Sequence, residues 1–295
     1  MADLLARLTD IATLVRLGEM VVSVLQSFLI PFAFLVAMYL FERRAGADPE
    51  RYRTRNFLHD LFYVFVYVGG FYSVFLLAVV TNAIEPHLGF LEFEPTRRLP
   101  WPVGLAIFWI GGDFVTYWWH RLQHSNKFLW AFHTVHHSQE QMTLFTASRR
   151  HPIELLLMDV LLYFVIFHLV LGVPTRGWMP LAVFVRTVVS IQHAQLDWRL
   201  GPLYKVFVSP RFHAFHHSAQ AEHANANYGF LLSTWDYIFG TAVPEQPLPE
   251  RYGLDGVEMK ESLVSHMVTP FRLLWQWRRH EEPAAAPEIN SDISA

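Results

Sequence analysis

The stretch WPVGLAIFWIGGDFVTYWWHRLQH, residues 101–124, joins a predominantly apolar run to two histidines. As a helix the run is long enough to cross ~30 Å of hydrocarbon. His120 and His124 are four residues apart, so their side chains share one face at the end of this helix.

Two further groups, HTVHH at 133–137 and HAFHH at 213–217, repeat the three- and four-residue spacing, and the three groups hold eight of the 16 histidines. Imidazoles repeated in this way are typical of metal ligands. Eight of them indicate two ions close together, because one ion rarely takes more than about four and keeps a position open.

The composition is that of a membrane protein, since hydrophobic residues make up 53% of the 295 positions and charged residues only 17%. Four apolar runs have the length of a membrane span. They are residues 21–41, 61–80, 101–119 and 155–173. A fifth run, residues 178–192, is shorter, and it either crosses with the help of flanking residues or enters the membrane as half of a helical hairpin. We therefore predict an all-α membrane bundle of four to five crossings, with a histidine-rich helical cap that holds a dimetal site.

Basic residues set the predicted orientation, because lysine and arginine accumulate in cytoplasmic loops. The loops at 42–55 and 120–151 are rich in them, whereas the loops at 81–100 and 172–177 hold few. This alternation places every histidine group on the cytoplasmic side of a multi-pass protein, and we expect a bacterial inner membrane. The chain has no cysteine, which excludes disulfides, iron–sulfur ligation and thiolate catalysis. Nothing in the charge pattern indicates binding to nucleic acid.

The chain divides into three predicted parts. Residues 1–56 form an interfacial segment and the first membrane helix, residues 57–245 form the membrane domain with the histidine groups, and residues 246–295 form a C-terminal cytoplasmic part. In the last part, apolar residues near helical spacing predict a helix over 262–279. Residues 281–295 are expected to be disordered.

Two stretches place polar residues at spacings of four, three and four, which keeps them on one narrow face of a helix. The first comprises Asp113, Tyr117, His120 and His124, and the second comprises Arg186, Ser190, His193 and Asp197. A charged group among the apolar residues of a membrane helix usually faces a partner or a cavity. Because Asp113 and Arg186 each lie seven positions before a histidine, we predict that they pair and lock together the two helices that present ligands.

Histidines outside the three groups differ in their predicted roles. His193 is a predicted ninth ligand, because it ends an apolar helix on the metal side and has Asp197 one turn later as an orienting partner. His151 and His223 are candidates for an additional metal contact or a supporting role, and capping of the following helix is the alternative for His151. The remaining histidines are predicted to be structural or exposed. They are His59, His87, His168, His266 and His280.

The three groups resemble the HxxxH, HxxHH and HxxHH boxes of the fatty acid hydroxylase and sterol desaturase superfamily. The resemblance covers residues 55–245 and includes further short motifs. These are Asp113 with Tyr117 and Trp118, Arg150 with His151 and Pro152, Asn227 with Tyr228 and Gly229, and Trp235 with Asp236 through Gly240. The segment at 192–241 is most similar to alkylglycerol monooxygenases, whereas the motif at 150–152 is nearer the bacterial sterol-desaturase-like members.

The resemblance implies an integral membrane oxygenase with a diiron centre. It would use O2 to hydroxylate or desaturate a C–H bond of a lipid such as a sterol, a fatty acyl chain or an ether lipid. The implied metal ligands are His120, His124, His133, His136, His137, His193, His213, His216 and His217. Other candidates, for an additional metal contact or for support of the ligands, are His151, His223, Asp113, Tyr117, Arg186, Asp197 and Asn227.

The residues alone do not identify the metal, because neutral imidazoles suit iron, copper, zinc and nickel. The resemblance implies two irons, which zinc can replace in purified protein. No flavin, nicotinamide or haem motif is visible, so we expect an external electron donor, a ferredoxin or a cytochrome with its reductase. An alkylglycerol monooxygenase would instead imply a pterin.

Other classes of histidine-rich membrane protein fit the sequence less well. A haem-binding electron carrier needs only paired axial ligands and leaves the HxxHH doublets unexplained. A zinc or copper transporter predicts polar residues through the membrane midplane, and residues 61–80 hold no charge. A metalloprotease is disfavoured, because HRLQH lacks the glutamate of the HExxH motif.

Overall fold

The computed structural model describes residues 29, 32–33, 35–37, 39–68, 72, 76, 83–173, 178–244 and 246–279. The α-helices whose full extent lies in this part of the chain are α1 (Arg55–Tyr63), α2 (Glu85–Leu88), α3 (Trp101–Ser125), α4 (Lys127–His137), α5 (Pro152–Leu157), α6 (Trp178–Gln192), α7 (Pro210–His216), α8 (Thr234–Ile238) and α9 (Leu263–Arg278). Residues 39–44 are also helical. Two π-helices, Val64–Val68 and Met158–Leu171, extend α1 and α5. Short 3-10 helices lie at Pro49–Arg53, Gly89–Leu91, Pro95–Arg98, Leu144–Ser148, Gly201–Lys205 and Ala221–His223.

The described residues contain no strand, and their β structure is limited to an isolated bridge between Ser218 and Tyr252. The prediction of an all-α fold is therefore confirmed for this part of the chain.

Short polar side chains decide where the helices near the histidines begin. The Asn126 backbone is extended and ends α3, and its side chain then caps α4 by accepting from the Leu129 amide at 3.1 Å. Ser209 caps α7 by accepting from the Phe212 amide at 3.0 Å, and Pro210 occupies the first helical turn. The break at Asn126 lets α4 fold back on α3, so that the histidine pair of α3 faces the histidines of α4.

One apolar helix of 20 residues runs through α5 and its π-helical extension, Pro152–Leu171. Among the described residues it is the one helix long and apolar enough to cross a membrane. It coincides with the predicted run at 155–173, whereas α6 has only 15 residues. The predicted run at 101–119 lies in α3, which has 25 residues but does not have the apolar composition of a span. Only parts of the predicted runs at 21–41 and 61–80 are described, so the number of crossings and the orientation stay predictions.

The predicted C-terminal helix is present as α9, whose first turn is capped by Ser262. It packs on α4, where the ring of Phe271 lies 5.5 Å from the ring of Phe132. His266 of α9 is buried, and its Nδ1 lies 3.2 Å from the Tyr63 hydroxyl, so this histidine has the structural role that was predicted. Residues 281–295, predicted to be disordered, lie outside the described part.

A buried ion pair joins α1 to the segment that follows α4. The Arg149 side chain has no exposed surface, and its Nε donates to Asp60 Oδ1 at 2.6 Å. Gln139 and Thr146 donate to the other Asp60 oxygen at 2.8 and 3.1 Å. Arg149 Nη2 also donates to the Asn56 carbonyl at 2.6 Å. These bonds satisfy a charge pair that would otherwise be costly to bury.

Candidate metal centre

The structure gathers all nine predicted ligand histidines into two adjacent groups. The five-histidine group comprises His120, His124, His133, His137 and His216, and the four-histidine group comprises His136, His193, His213 and His217. Within each group, one ring nitrogen of every residue lies within 4.8 Å of the others. The groups meet where the rings of His137 and His217 stack with their centroids 4.4 Å apart.

Helix geometry explains why two HxxHH sequences build two groups. Adjacent residues of a helix point about 100° apart, whereas residues four apart share a face. In α4, His133 and His137 therefore face the five-histidine group and His136 faces the four-histidine group. The second HxxHH, at the end of α7, is divided in the opposite sense: its first and last histidines join the four-histidine group, and His216 joins the five-histidine group.

Two nitrogens in the four-histidine group face each other without a proton between them. His136 Nδ1 lies 3.1 Å from the Arg149 carbonyl, and His193 Nδ1 lies 2.8 Å from the Val189 carbonyl. A carbonyl only accepts, so the proton of each neutral ring is on Nδ1 and each Nε2 carries a lone pair. These two Nε2 atoms are 3.3 Å apart. Two facing lone pairs repel, and a cation shared between them removes the repulsion.

The spacing within the four-histidine group fits such a cation. His213 Nε2 lies 3.0 Å from His193 Nε2 and 3.1 Å from His217 Nε2. Metal–nitrogen bonds of 2.0–2.1 Å in a tetrahedral site place neighbouring ligand atoms about 3.3 Å apart. The all-imidazole donor set suits iron, copper, zinc or nickel.

The five-histidine group is held in the same way from outside. His120 Nδ1 lies 3.0 Å from the Tyr228 carbonyl, and His216 Nδ1 lies 2.9 Å from the Ala226 carbonyl. Each ring therefore turns its Nε2 toward the group. Several of these inner nitrogens are buried with no hydrogen-bond partner among the described residues, namely Nε2 of His124, His133, His137 and His216. Buried ring nitrogens that lack a hydrogen-bond partner and point toward one place are the arrangement expected of metal ligands.

Burial keeps the imidazoles in the neutral form that binds metals. Removal from water, reinforced by neighbouring histidines and Arg150, lowers the pKa of His120, His124, His136, His137, His213 and His217 well below the usual value. The same burial lowers the pKa of His193 and of His216 to about 3. Metal binding is therefore not opposed by protonation at neutral pH.

A buried carboxylate supports the five-histidine group. Glu154 Oε1 lies 2.8 Å from His133 Nδ1 and also accepts from Gln123 Nε2 at 3.0 Å and from Arg150 Nη1 at 2.9 Å. A carboxylate behind a ligand histidine fixes the ring and raises its basicity. Glu154 is not among the residues predicted from the sequence, although a lone carboxylate at the start of an apolar run is a usable signal.

The predicted pair of Asp113 with Arg186 is not formed. Asp113 instead accepts from the amides of Leu231 and Leu232 at 2.8 and 3.2 Å and from Trp235 Nε1 at 2.8 Å. Leu231 and Leu232 belong to the loop before α8, and Trp235 belongs to α8 itself. The loop folds against α3, and these three donors saturate the carboxylate. Because that loop also supplies the carbonyls that hold His120 and His216, Asp113 supports the ligands through the loop.

Close packing fixes the same loop. Asp236 accepts from the amides of Tyr228 and Gly229, each at 2.7 Å. A Cβ on Gly229 would lie 2.8 Å from both Asp236 Oδ2 and the Leu232 carbonyl, so only glycine fits this approach. Asn227 has a φ of 57°, donates to the Phe212 carbonyl at 2.9 Å and accepts from the Val243 amide at 2.7 Å. It supports the loop and lies in neither histidine group.

Asp197 does not orient His193, contrary to the sequence-based expectation. Its carboxylate pairs with Arg211, while His193 turns its Nδ1 back to the Val189 carbonyl. The helical register brings that carbonyl within reach one turn before His193, and it replaces the carboxylate as the orienting acceptor.

Three other candidates lie outside both histidine groups. His151 caps α5 by accepting from the Ile153 amide at 3.1 Å, which is the alternative role considered above. His223 Nδ1 lies 2.9 Å from Ser218 Oγ, and its Nε2 lies 3.1 Å from the Gln246 side chain. The Tyr117 hydroxyl lies 3.0 Å from Thr241 Oγ1 and ties α3 to the segment after α8.

A cavity of about 910 Å³ lies beside the histidine groups. Its wall includes Thr116 of α3, Arg150, and Val189, whose carbonyl holds His193. From there it continues between apolar helices to Phe167 and His168. The volume is that of a site for a large ligand, and its lining is mainly aromatic and aliphatic.

Comparison with known proteins agrees with the family resemblance of the histidine motifs. Residues 105–241 match the family model described as Fatty acid hydroxylase. Ornithine lipid hydroxylase OlsE of Rhizobium tropici is 30% identical over 201 residues, which cover 67% of this chain and 59% of the relative. Alkylglycerol monooxygenase of Xenopus tropicalis is 31% identical over 193 residues, 60% of this chain and 40% of the relative. Methylsterol monooxygenase 2-2 of Arabidopsis thaliana is 29% identical over 145 residues, 46% of this chain and 51% of the relative.

The chain spans between 40% and 59% of the length of these relatives. No solved structure matches it. The matched segment contains all nine clustered histidines, together with Asp113 and Glu154, which hold them from outside. On these grounds residues 105–241 of the chain belong to the fatty acid hydroxylase family.

Proposed function

We propose that this protein is a membrane-bound diiron oxygenase that uses O2 to hydroxylate or desaturate a C–H bond of a lipid. The observation that carries the proposal is the pair of unprotonated nitrogens, His136 Nε2 and His193 Nε2, that face each other at 3.3 Å in a buried site. Without a cation this arrangement is repulsive, and each ring is fixed in it by a backbone carbonyl. A bound metal ion explains why the fold holds these two nitrogens so close together.

The two histidine groups are the proposed sites of the two irons. The five-histidine group would hold one ion and the four-histidine group the other. When bound, the two irons would supply two of the four electrons that O2 takes up, and oxidation of the substrate would supply the other two. In desaturation both oxygen atoms leave as water, whereas in hydroxylation one enters the substrate. A separate electron-transfer protein, a ferredoxin or a cytochrome with its reductase, would restore the metal. Imidazoles take zinc readily, so zinc in a purified sample is compatible with the proposal.

The protein's own contribution to the reaction is to fix ligands and exclude water. Backbone carbonyls and Glu154 hold the outer nitrogens, so the inner nitrogens keep one direction. The cavity would hold an apolar chain next to the site, and dryness suppresses side reactions of a strong oxidant. Three relatives support a lipid substrate, because their names specify hydroxylation or oxygenation of an ornithine lipid, an alkylglycerol and a methylsterol.

The membrane location is part of the proposal. The helix Pro152–Leu171 has the length and composition of a span and lines the cavity. Together with the basic loops at 42–55 and 120–151, it favours a metal site at the cytoplasmic edge of the bilayer. A haem carrier is the weaker alternative, because five and four converging imidazoles exceed the two axial ligands of a haem, and a Soret band in purified protein would favour it.

The test is lipid analysis of cells that lack the gene, complemented with the wild type, with His136→Ala plus His137→Ala, or with His223→Ala. The double variant removes one ligand from each group, whereas His223 lies outside both. The wild type and His223→Ala should restore a hydroxylated or desaturated lipid, and the double variant should not. The proposal is wrong if the lipids of all four strains are the same, or if the double variant restores the product.

A further inference from the structure

Two charged side chains in the cavity wall have no direct ion-pair partner among the described residues. Four residues of its wall have fixed acidic or basic groups: Asp113, Arg150, Asp159 and Arg186. Asp113 is occupied by three N–H donors, and Arg150 pairs with Glu154 at 2.9 Å. Arg186 and Asp159 remain.

Arg186 and Asp159 lie on different helices and face the same space. Arg186 belongs to α6, and Asp159 belongs to the π-helical extension of α5. Neither forms an ion pair with a described residue, and the two are farther apart than the 4.0 Å of a direct pair. The two side chains are nevertheless close enough for their opposite charges to interact. A guanidinium and a carboxyl group in an apolar part of a chain are costly unless a partner meets them.

The position of this pair relative to the histidines fits a bound lipid. Arg186 lies seven residues before His193, which corresponds to about 10 Å along a helix. Tyr72 and Tyr163 line the same region, and the Tyr72 hydroxyl is a hydrogen-bonding neighbour of Asp159. Beyond the pair the cavity is lined mainly by aromatic and aliphatic side chains and extends past Phe167. A molecule with a polar head at the pair therefore fits with its apolar chain in the part of the cavity that extends past Phe167 and with its head region about 10 Å from the histidines.

We propose that Arg186 and Asp159 bind the head of a zwitterionic lipid. An anionic group, a phosphodiester or a carboxylate, would accept from Arg186, and an ammonium group of the same head would donate to Asp159. A purely anionic head leaves Asp159 unpaired beside it, and a neutral head leaves both unpaired. The inference rests on the proposed function, and it restricts the substrate class to zwitterionic polar lipids rather than sterols or neutral ether lipids.

The test is competitive lipid binding to the purified full chain in a non-ionic detergent, with bound lipid measured by mass spectrometry. The probes share one acyl chain and differ in the head: lysophosphatidylethanolamine has a phosphodiester and an amine, lysophosphatidylglycerol has the phosphodiester alone, and monoacylglycerol has neither. The wild type should retain the first over the other two by about tenfold or more, the effect of a charged hydrogen bond.

The two variants should shift the preference in different directions. Arg186→Gln should reduce retention of both phospholipids to that of monoacylglycerol. Asp159→Asn should remove the advantage of lysophosphatidylethanolamine over lysophosphatidylglycerol and leave both above monoacylglycerol. Arg53→Gln and Asp255→Asn, which are exposed, serve as matched controls and should bind as the wild type does. Only variants with unchanged melting temperature and metal content are compared.

A wild type that retains the three lipids equally, or variants that bind as the wild type does, would overturn the inference. Preferential retention of lysophosphatidylglycerol by the wild type would also overturn it in favour of an anionic head. The binding assay needs no turnover, so its outcome is independent of the proposed activity. If cells show an oxidised lipid but the protein has no head-group preference, the zwitterion inference alone is wrong. If no lipid is oxidised, the proposed function fails whatever the binding shows.

Discussion

At the scale of single residues, the candidate metal centre depends on which partner each of the two nitrogens of an imidazole ring has. The outer Nδ1 of His120, His136, His193 and His216 is committed to a backbone carbonyl, which leaves the inner nitrogen for a metal. His133 differs, because a carboxylate stands behind it. Glu154 therefore places a negative charge next to the ligand set and compensates part of the charge that a bound cation brings.

Replacing Glu154 by glutamine tests this role. Glutamine keeps the size and one acceptor oxygen, but it removes the charge behind His133. We expect the metal affinity of the five-histidine group to fall about 10- to 100-fold while the fold is retained. Titration of the purified protein against a competing chelator measures this. Glu50→Gln, which alters an exposed pair with Arg53, is the control and should leave the affinity unchanged. Equal affinities for wild type and Glu154→Gln would contradict the role.

At the scale of elements, the ligands are brought together by short helices and by what joins them. The break at Asn126 folds α4 back on α3, and each HxxHH divides its imidazoles between the groups. The ion pair of Arg149 with Asp60 then fixes the segment after α4 to α1. Arg149 has two roles. Its side chain forms this ion pair, and its backbone carbonyl accepts a hydrogen bond from His136 Nδ1.

A double-mutant cycle on Arg149 and Asp60 measures how much this connection contributes. Arg149→Met and Asp60→Asn each leave part of a buried polar network unpaired, and each should destabilise the protein by about 3–5 kcal/mol. The double variant should lose clearly less than the sum, because each single change already breaks the same interaction. Denaturant unfolding in detergent gives the values. The exposed pair of Arg53 with Glu50 is the control, with an expected effect below about 1 kcal/mol. Additive losses for the buried pair would show that the two residues act separately.

The sequence was sufficient to predict which histidines come together and insufficient to predict what supports them, for a physical reason. The HxxxH and HxxHH spacings follow from helix geometry, so the faces of α3, α4 and α7 were predictable. Asp113 binds amides of Leu231 and Leu232, which lie on an irregular loop more than a hundred positions away in the chain. Nothing in the periodicity of α3 or α6 reveals such a partner. The prediction of a pair with Arg186 was therefore wrong, although each residue was correctly recognised as one that needs a partner or a cavity.

At the scale of the whole molecule, the described part is an all-helical protein in which one helix, Pro152–Leu171, has the properties of a membrane span. That helix starts beside the histidines, with Glu154 behind His133, and continues along the cavity past Asp159. The candidate metal centre and the cavity beside it thus share one element. Composition predicted the apolar character of this helix, whereas the cavity depends on how it packs with α3 and α6.

The central claim is that the chain binds two metal ions, one in each histidine group. The most direct measurement is the number of ions per chain, by elemental analysis after anaerobic reconstitution with ferrous iron. The account predicts two for the wild type and one for each of two folded double variants, His133→Ala with His137→Ala and His213→Ala with His217→Ala. A wild type that binds one ion or none, or double variants that both still bind two, would contradict it.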